Sequence, residues 1–209
     1  MRIPDFTELV DRGRAFADLE PSGRTLEDVK RFFVKAGFRR ELSPRIFDIL
    51  TRWGAKEIEG LNHRGLLLRG GCGIGKTYGV SILANLLSFP LVNAKELEEE
   101  YLALSTEEFD HLVDTQNGWC ECRNLAIDDL GVESSPVVKY GTSCNVLECA
   151  IDRRYREAFN RQRKHTILTT NLSDEALQRK YGHRILDRLD EMVDFYTIQG
   201  ESLRRTRSK

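Results

Sequence analysis

The stretch LLLRGGCGIGKTYGV, Leu66 to Val80, decides the reading of the whole chain. Its first residues are an apolar run without helical alternation that stops at glycines, the pattern of a strand buried on both faces. From Gly70 the spacing is glycine, four residues, then Gly75, Lys76 and Thr77, and an amphipathic helical stretch from Lys76 to Leu87 leaves the loop. A triphosphate needs several backbone N–H groups converging on its oxygens. Glycines let the chain wrap that closely and take positive φ where required. Gly70, Gly71, Cys72, Gly73, Ile74 and Gly75 supply the wrap, and Lys76 sets an ammonium against the β and γ phosphates. Thr77 offers a hydroxyl to Mg²⁺, and Tyr78 follows in the first turn of a helix whose positive end faces the phosphates. ATP and Mg²⁺ are the expected ligands.

A phosphate loop is shared by kinases, GTPases, motors and switches, so a second acidic element must decide more. NLAIDDLG supplies it: Leu125 to Ile127 read as a buried strand whose C-terminal end carries Asp128 and Asp129. Parallel sheets bind ligands at that edge. Asp128 fits the Mg²⁺-associated carboxylate, acting through water, and Asp129 fits the group that orients or deprotonates an attacking water. A third strand, in HTILTTN, exits through Thr169, Thr170 and Asn171. Asn171 is placed to sense the γ-phosphate or the attacking water, while Ser173 is the better cap for the helix that follows.

Further strand-like runs in FPLVNA and DFYTIQG alternate with helical stretches, including Asn145 to Asn160, which predicts a three-layer α/β domain with a mainly parallel sheet. Ahead of it, Thr25 and Asp28 form an approximate capping box for one short helix, and Ser43 with Pro44 starts a second that runs toward Gly60. Residues 1–24 read as a flexible or partner-binding leading segment, and residues 25–209 as the nucleotide domain, with leading helices in 25–60. The 209 residues suit one main core, and the net charge of −1 excludes a general pull toward nucleic acid. No apolar run approaches the roughly 20 residues that span a bilayer, so a cytoplasmic protein without a membrane partner is expected. Five cysteines, unevenly placed, fit reduced thiols better than a disulfide framework or a zinc site.

With GGCGIGKT, NLAIDDLG, ILTTNLS and GHRILDRLDEM in this order, and IDRRY ahead of the third strand, the chain resembles the AAA+ ATPases of the DnaC/DnaI helicase-loader and IstB transposition-helper group. The resemblance covers roughly Leu61 to Arg205. It implies an AAA+ core with a five-stranded sheet, here without the helical lid domain of larger relatives, that assembles into a ring or spiral. It also implies ATP bound between neighbours and single-stranded DNA engaged by the assembly. Arg188 matches the arginine that such proteins insert into a neighbour's nucleotide site. Arg184 precedes it by one helical turn, and Arg204 resembles a terminal arginine after the last strand. The opposing reading of Arg184, Asp187, Arg188 and Asp190 is a solvated helix face with internal ion pairs. The basic run Arg153 to Lys164 suits a subunit contact better than direct DNA contact, and KELEEEYLAL, Lys95 to Leu104, is too acidic for phosphates.

The expected activity is ATP hydrolysis to ADP and phosphate, slow and assembly-dependent. Asp129 is one methylene shorter than the glutamate usual at this place in related ATPases, and a misplacement of about 1 Å matters about a hundredfold in rate. The expected role is loading or remodelling a replicative helicase. Two alternatives stay open: an ATPase regulating a transposase, and an ATP-dependent scaffold with negligible hydrolysis.

Overall fold

Five apolar runs become one parallel sheet. In the computed structural model, which describes residues 19–105, 107–109, 124–134, 136–159 and 165–203, the elements follow in the order α1 Gly23–Lys35, α2 Pro44–Ile58, β1 Gly65–Gly70, α3 Lys76–Leu87, β2 Leu91–Asn93 and α4 Ala94–Ala103. Then come β3 Leu125–Leu130, β4 Val137–Lys139, β5 Thr142–Cys144, α5 Val146–Phe159, β6 Thr166–Thr170, α6 Asp174–Met192 and β7 Val193–Ile198. The main sheet has the order β2-β3-β6-β1-β7, and all its pairings are parallel.

The unbroken apolar runs follow from two covered faces. Leu67, Ile127, Leu168 and Val193 pack into a core beneath α4, α5 and α6, whereas Leu66, Leu68, Ala126 and Ile167 pack into another beneath α1, α2 and α3. Successive residues of the central strands alternate between the two cores, so Leu66–Leu68, Leu125–Ile127 and Ile167–Leu168 are apolar without interruption. Burying a leucine of this kind contributes about 1.5–3 kcal/mol, and Leu66, Leu67 and Leu68 are all inaccessible to solvent.

Local starts differ in detail from the expected ones. The cap of α1 is Ser22, whose hydroxyl accepts from the Thr25 backbone N–H at 3.3 Å, so Thr25 lies inside the helix. Ser43 precedes α2 with Pro44 at the first turn, but it makes no side-chain cap bond. The short antiparallel pair β4–β5 has no counterpart in the strand runs seen in the sequence, because VVK and TSC lack the flanking apolar run that marks the equally short β2.

Cys144 and Cys149 stand with their sulfurs 3.2 Å apart as free thiols, and burial, with the Cys144 hydrogen bond, pushes the Cys149 thiol up to about 12. Among the described residues no helix is long and apolar enough to cross a membrane. Most of the leading segment 1–24, Cys120, Cys122, the end of the basic run at Lys164, and Arg204 lie outside the described residues.

Candidate active site

The sheet order brings three chemically distinct strand ends together. β6 lies between β1 and β3, so the phosphate loop after β1 and the acids of β3 flank the polar exit of β6. Gly73 and Gly75 take φ of 80° and 98°, the left-handed region that glycine enters without a Cβ penalty. The Ser43 hydroxyl donates to the Ile74 carbonyl at 2.6 Å, and the Leu203 backbone N–H donates to the Gly73 carbonyl at 3.0 Å. The segment before α2 and the segment after β7 therefore hold the loop from two sides.

Lys76 is 4% exposed, and its ammonium donates to the carbonyls of Gly70 and Gly71 and to Asn171 Oδ1, each at 2.8 Å. Burial pushes its pKa down, opposed by the charges of Asp129, Cys72 and Asp128. Thr77 Oγ1 donates to Asp128 Oδ1 at 3.0 Å, and Thr169 Oγ1 donates to the same oxygen at 2.5 Å. Thr169 also accepts the backbone N–H of Asp129 at 2.9 Å. Asp129 has φ of 54°, unusual for a residue with a side chain, and the β3–β6 register shifts between Ile127 and Leu130. This irregularity turns the strand end at the second acid, as bulges beside functional sites do.

These residues fit a magnesium-bound triphosphate. A hydroxyl and a carboxylate, already in contact, are the hard oxygen ligands Mg²⁺ takes, directly or through water. A Cβ at Gly71 would meet nothing within 4 Å, so the mouth of the loop is open beside a buried ammonium.

No protein-family model matches the chain, and no curated protein matches it. Among solved structures, a DNA replication initiation factor aligns at a TM-score of 0.54 and 16% identity, over 82% of this chain and 50% of its own. A candidate primosome component from Streptococcus pyogenes serotype M3 aligns at 0.50 and 23% identity, over 78% of this chain and 80% of its own. A DnaC helicase loader aligns at 0.45 and 19% identity, over 88% and 95%. The chain shares their fold, a five-stranded parallel α/β sheet with a phosphate loop after β1. It is the fold that the resemblance to the helicase-loader group implies, and this chain spans half the length of the initiation factor.

Within this fold, Gly70 to Thr77, Asp128, Asp129 and Asn171 converge, while two predicted site residues lie elsewhere. Tyr78 turns away: its hydroxyl donates to the Ala36 carbonyl at 2.8 Å and its ring stacks on Phe38 at 6.0 Å, tying α3 to the turn after α1. Arg188 makes its contacts on α5, pairing with Asp152 and lying 5.1 Å from the Tyr155 ring centroid. Arg184 also pairs with Asp152, so these arginines bridge two helices instead of forming ion pairs along their own.

Arg154, inside the basic run, is 1% exposed and donates to the Thr166 hydroxyl and the His165 carbonyl. It is a brace for β6, which removes it from the expected subunit contact. In the acidic helix α4, Glu98 is buried and accepts from the Ser134 N–H at 2.9 Å. Ser43, Thr169 and Leu203 are the supporting residues that sequence reasoning missed. Ser43 reads as a cap and Thr169 as a strand exit, and only the tertiary fold gives them partners.

Proposed function

We infer that the protein is an assembly-dependent ATPase that loads or remodels a replicative helicase. The observation that carries this reading is the junction Thr77–Asp128–Thr169 beside Lys76–Asn171, five side chains from three strand ends joined by hydrogen bonds. The backbone of Gly70 to Gly75 and the Lys76 ammonium bind the phosphates, and Thr77 and Asp128 hold Mg²⁺. When bound there, the ion would supply neutralisation of phosphate charge. Asp129 accepts the proton of the attacking water while Asn171 orients it. Arg188 from a neighbouring copy neutralises charge on the γ-phosphate, an effect worth about a thousandfold or more in other phosphoryl-transfer systems. Ring or spiral assembly is required for that arrangement, and single-stranded DNA is the polymer such an assembly would enclose.

The client is decided by pulldown from the host with the Asp129→Asn protein held in its ATP-bound form. A replicative helicase is the expected catch. Recovery of a transposase moves the function to transposition control, and recovery of neither overturns both. The hydrolysis reading has its own check: turnover per subunit must rise with protein concentration and vanish in Lys76→Ala. An ATP-bound protein with no turnover at any concentration is a scaffold instead.

A further inference from the structure

The carboxylate of Asp152, on α5, gathers three guanidinium groups. Arg184 NH2 donates to its two oxygens at 3.0 and 3.1 Å, Arg188 NH1 pairs with Oδ1, and Arg156 NH2 stands 3.8 Å from Oδ2. Arg156 belongs to the same helix, whereas Arg184 and Arg188 come from α6, four residues apart. Two like charges at that spacing repel along a helix, so the pair needs an anion between them. The Asp152 side chain is 18% exposed, which shields the pairing from solvent more than at an open surface.

Tyr155, one turn beyond Asp152, completes the mount. Its ring lies 5.1 Å from the Arg188 guanidinium, and its hydroxyl donates to Glu191 at 2.7 Å, fastening α5 to α6 on the far side of that arginine. Arg188 is thus fixed between a carboxylate and an aromatic face with 21% of its side chain exposed, while Arg184 keeps 73% exposed. Asp152 and Tyr155 hold in place two arginines whose long side chains would otherwise sample many rotamers.

We propose that Asp152 is a positioning residue for hydrolysis across the subunit interface: it sets the Arg184–Arg188 pair of one copy toward the nucleotide of the next. The inference rests on the reading of Arg188 as the arginine supplied in trans. Asp152 acts only through these arginines. Ordering the pair during folding removes that ordering cost from the transition state, and it keeps the guanidinium within the narrow tolerance that transition-state contacts demand.

Mixed assemblies isolate this role. One copy carries Arg184→Ala and Arg188→Ala with an intact nucleotide site; the other carries Lys76→Ala with intact arginines. Neither hydrolyses ATP alone, and mixing them restores turnover. The donor copy is then replaced by Lys76→Ala/Asp152→Asn, whose own site is already dead, so only its arginines are in question. The expected result is a kcat lowered on the order of tenfold to a hundredfold at unchanged KM for ATP, with most of it recovered by Lys76→Ala/Asp152→Glu. Full turnover with the Asp152→Asn donor overturns the proposal. So does exclusion of that donor from the mixed assembly in sedimentation, because Asp152 would then be an assembly contact. Failure of the first mixture, with parental protein active, overturns the trans-arginine reading beneath it and the proposal with it.

Discussion

The ammonium of Lys76 and the side-chain oxygen of Asn171 are hydrogen-bonded at 2.8 Å, although 95 positions separate them in the chain. With the Gly70 and Gly71 carbonyls, Asn171 gives Lys76 one acceptor for each of its three protons. Phosphate binding must therefore displace at least one of them, and the displaced partner reports on the nucleotide. Burial lowers the Lys76 pKa, and phosphate oxygens raise it again. Above the lowered value, ATP binding takes up protons, and affinity falls as pH rises through that value. Calorimetry at alkaline pH in two buffers of different ionisation enthalpy should give different apparent heats, a difference that Lys76→Arg abolishes. Equal heats for the parent would show that Lys76 does not change protonation. Asn171→Ala is expected to keep ATP binding and lose hydrolysis.

Asp129 combines a reactive role with a strained backbone. The left-handed region costs an L-residue about 1–2 kcal/mol, somewhat less for Asp, and the Thr169 hydroxyl accepting the Asp129 N–H helps to hold it there. Asp129→Gly removes the Cβ conflict but adds unfolded-state entropy, so the net gain is below about 1 kcal/mol, a rise in Tm of about 1–3 °C. Asp129→Asn keeps the backbone penalty and its Tm stays near the parent. Both lose ATP turnover by at least about a hundredfold. Thermal melts beside steady-state assays separate the two effects, and a fall in Tm for Asp129→Gly would contradict the strain.

Ser43 acts on the phosphate loop from outside it. Its hydroxyl donates to the Ile74 carbonyl at 2.6 Å, and a Cβ at Gly75 would lie 3.3 Å from the same hydroxyl. Ser43→Ala leaves a buried carbonyl without its donor, at a cost of about 1–3 kcal/mol, and frees the loop. ATP affinity is expected to weaken several-fold with turnover at saturation little changed. Fluorescent-nucleotide titration measures it, and unaltered affinity would show that the loop keeps its shape without Ser43.

The phosphate loop was legible because its chemistry is local: eight consecutive residues carry the glycines, the lysine and the threonine. The central strands were legible because burial on both faces makes stretches such as Leu66–Leu68 and Leu125–Ile127 continuously apolar. What could not be read was which strand lies beside which. Asp128 meets Thr77 and Thr169 through the order β3-β6-β1, and no spacing in the chain encodes that order. Partners were hidden in the same way at Arg154, which lies in a run expected to make a subunit contact yet braces β6, and at Arg188, whose ion-pair partner within the chain, Asp152, lies on another helix. The hairpin β4–β5 escaped notice because VVK and TSC lack a flanking apolar run.

Glu57 sits at the other end of the sheet. Its carboxylate stands 3.0 Å from His165 Nδ1 and accepts from Asn124 at 3.0 Å and Asn62 at 3.1 Å, tying α2 to the residues that open β3 and β6. Burial alone would push its pKa up; the His165 hydrogen bond and charge, with those from Asn124 and Asn62, outweigh it and leave the pKa lowered. A lowered carboxyl adds stability that is fully present above the unfolded value, about 4.3, and is lost as pH falls through the folded value. Glu57→Gln should be less stable than the parent at neutral pH and lose less stability on going from about pH 5 to pH 3. Urea unfolding across that range measures both slopes. Because the cluster is remote from the phosphate loop, KM for ATP should not move, and parallel slopes for the two proteins would remove Glu57 from the acid response.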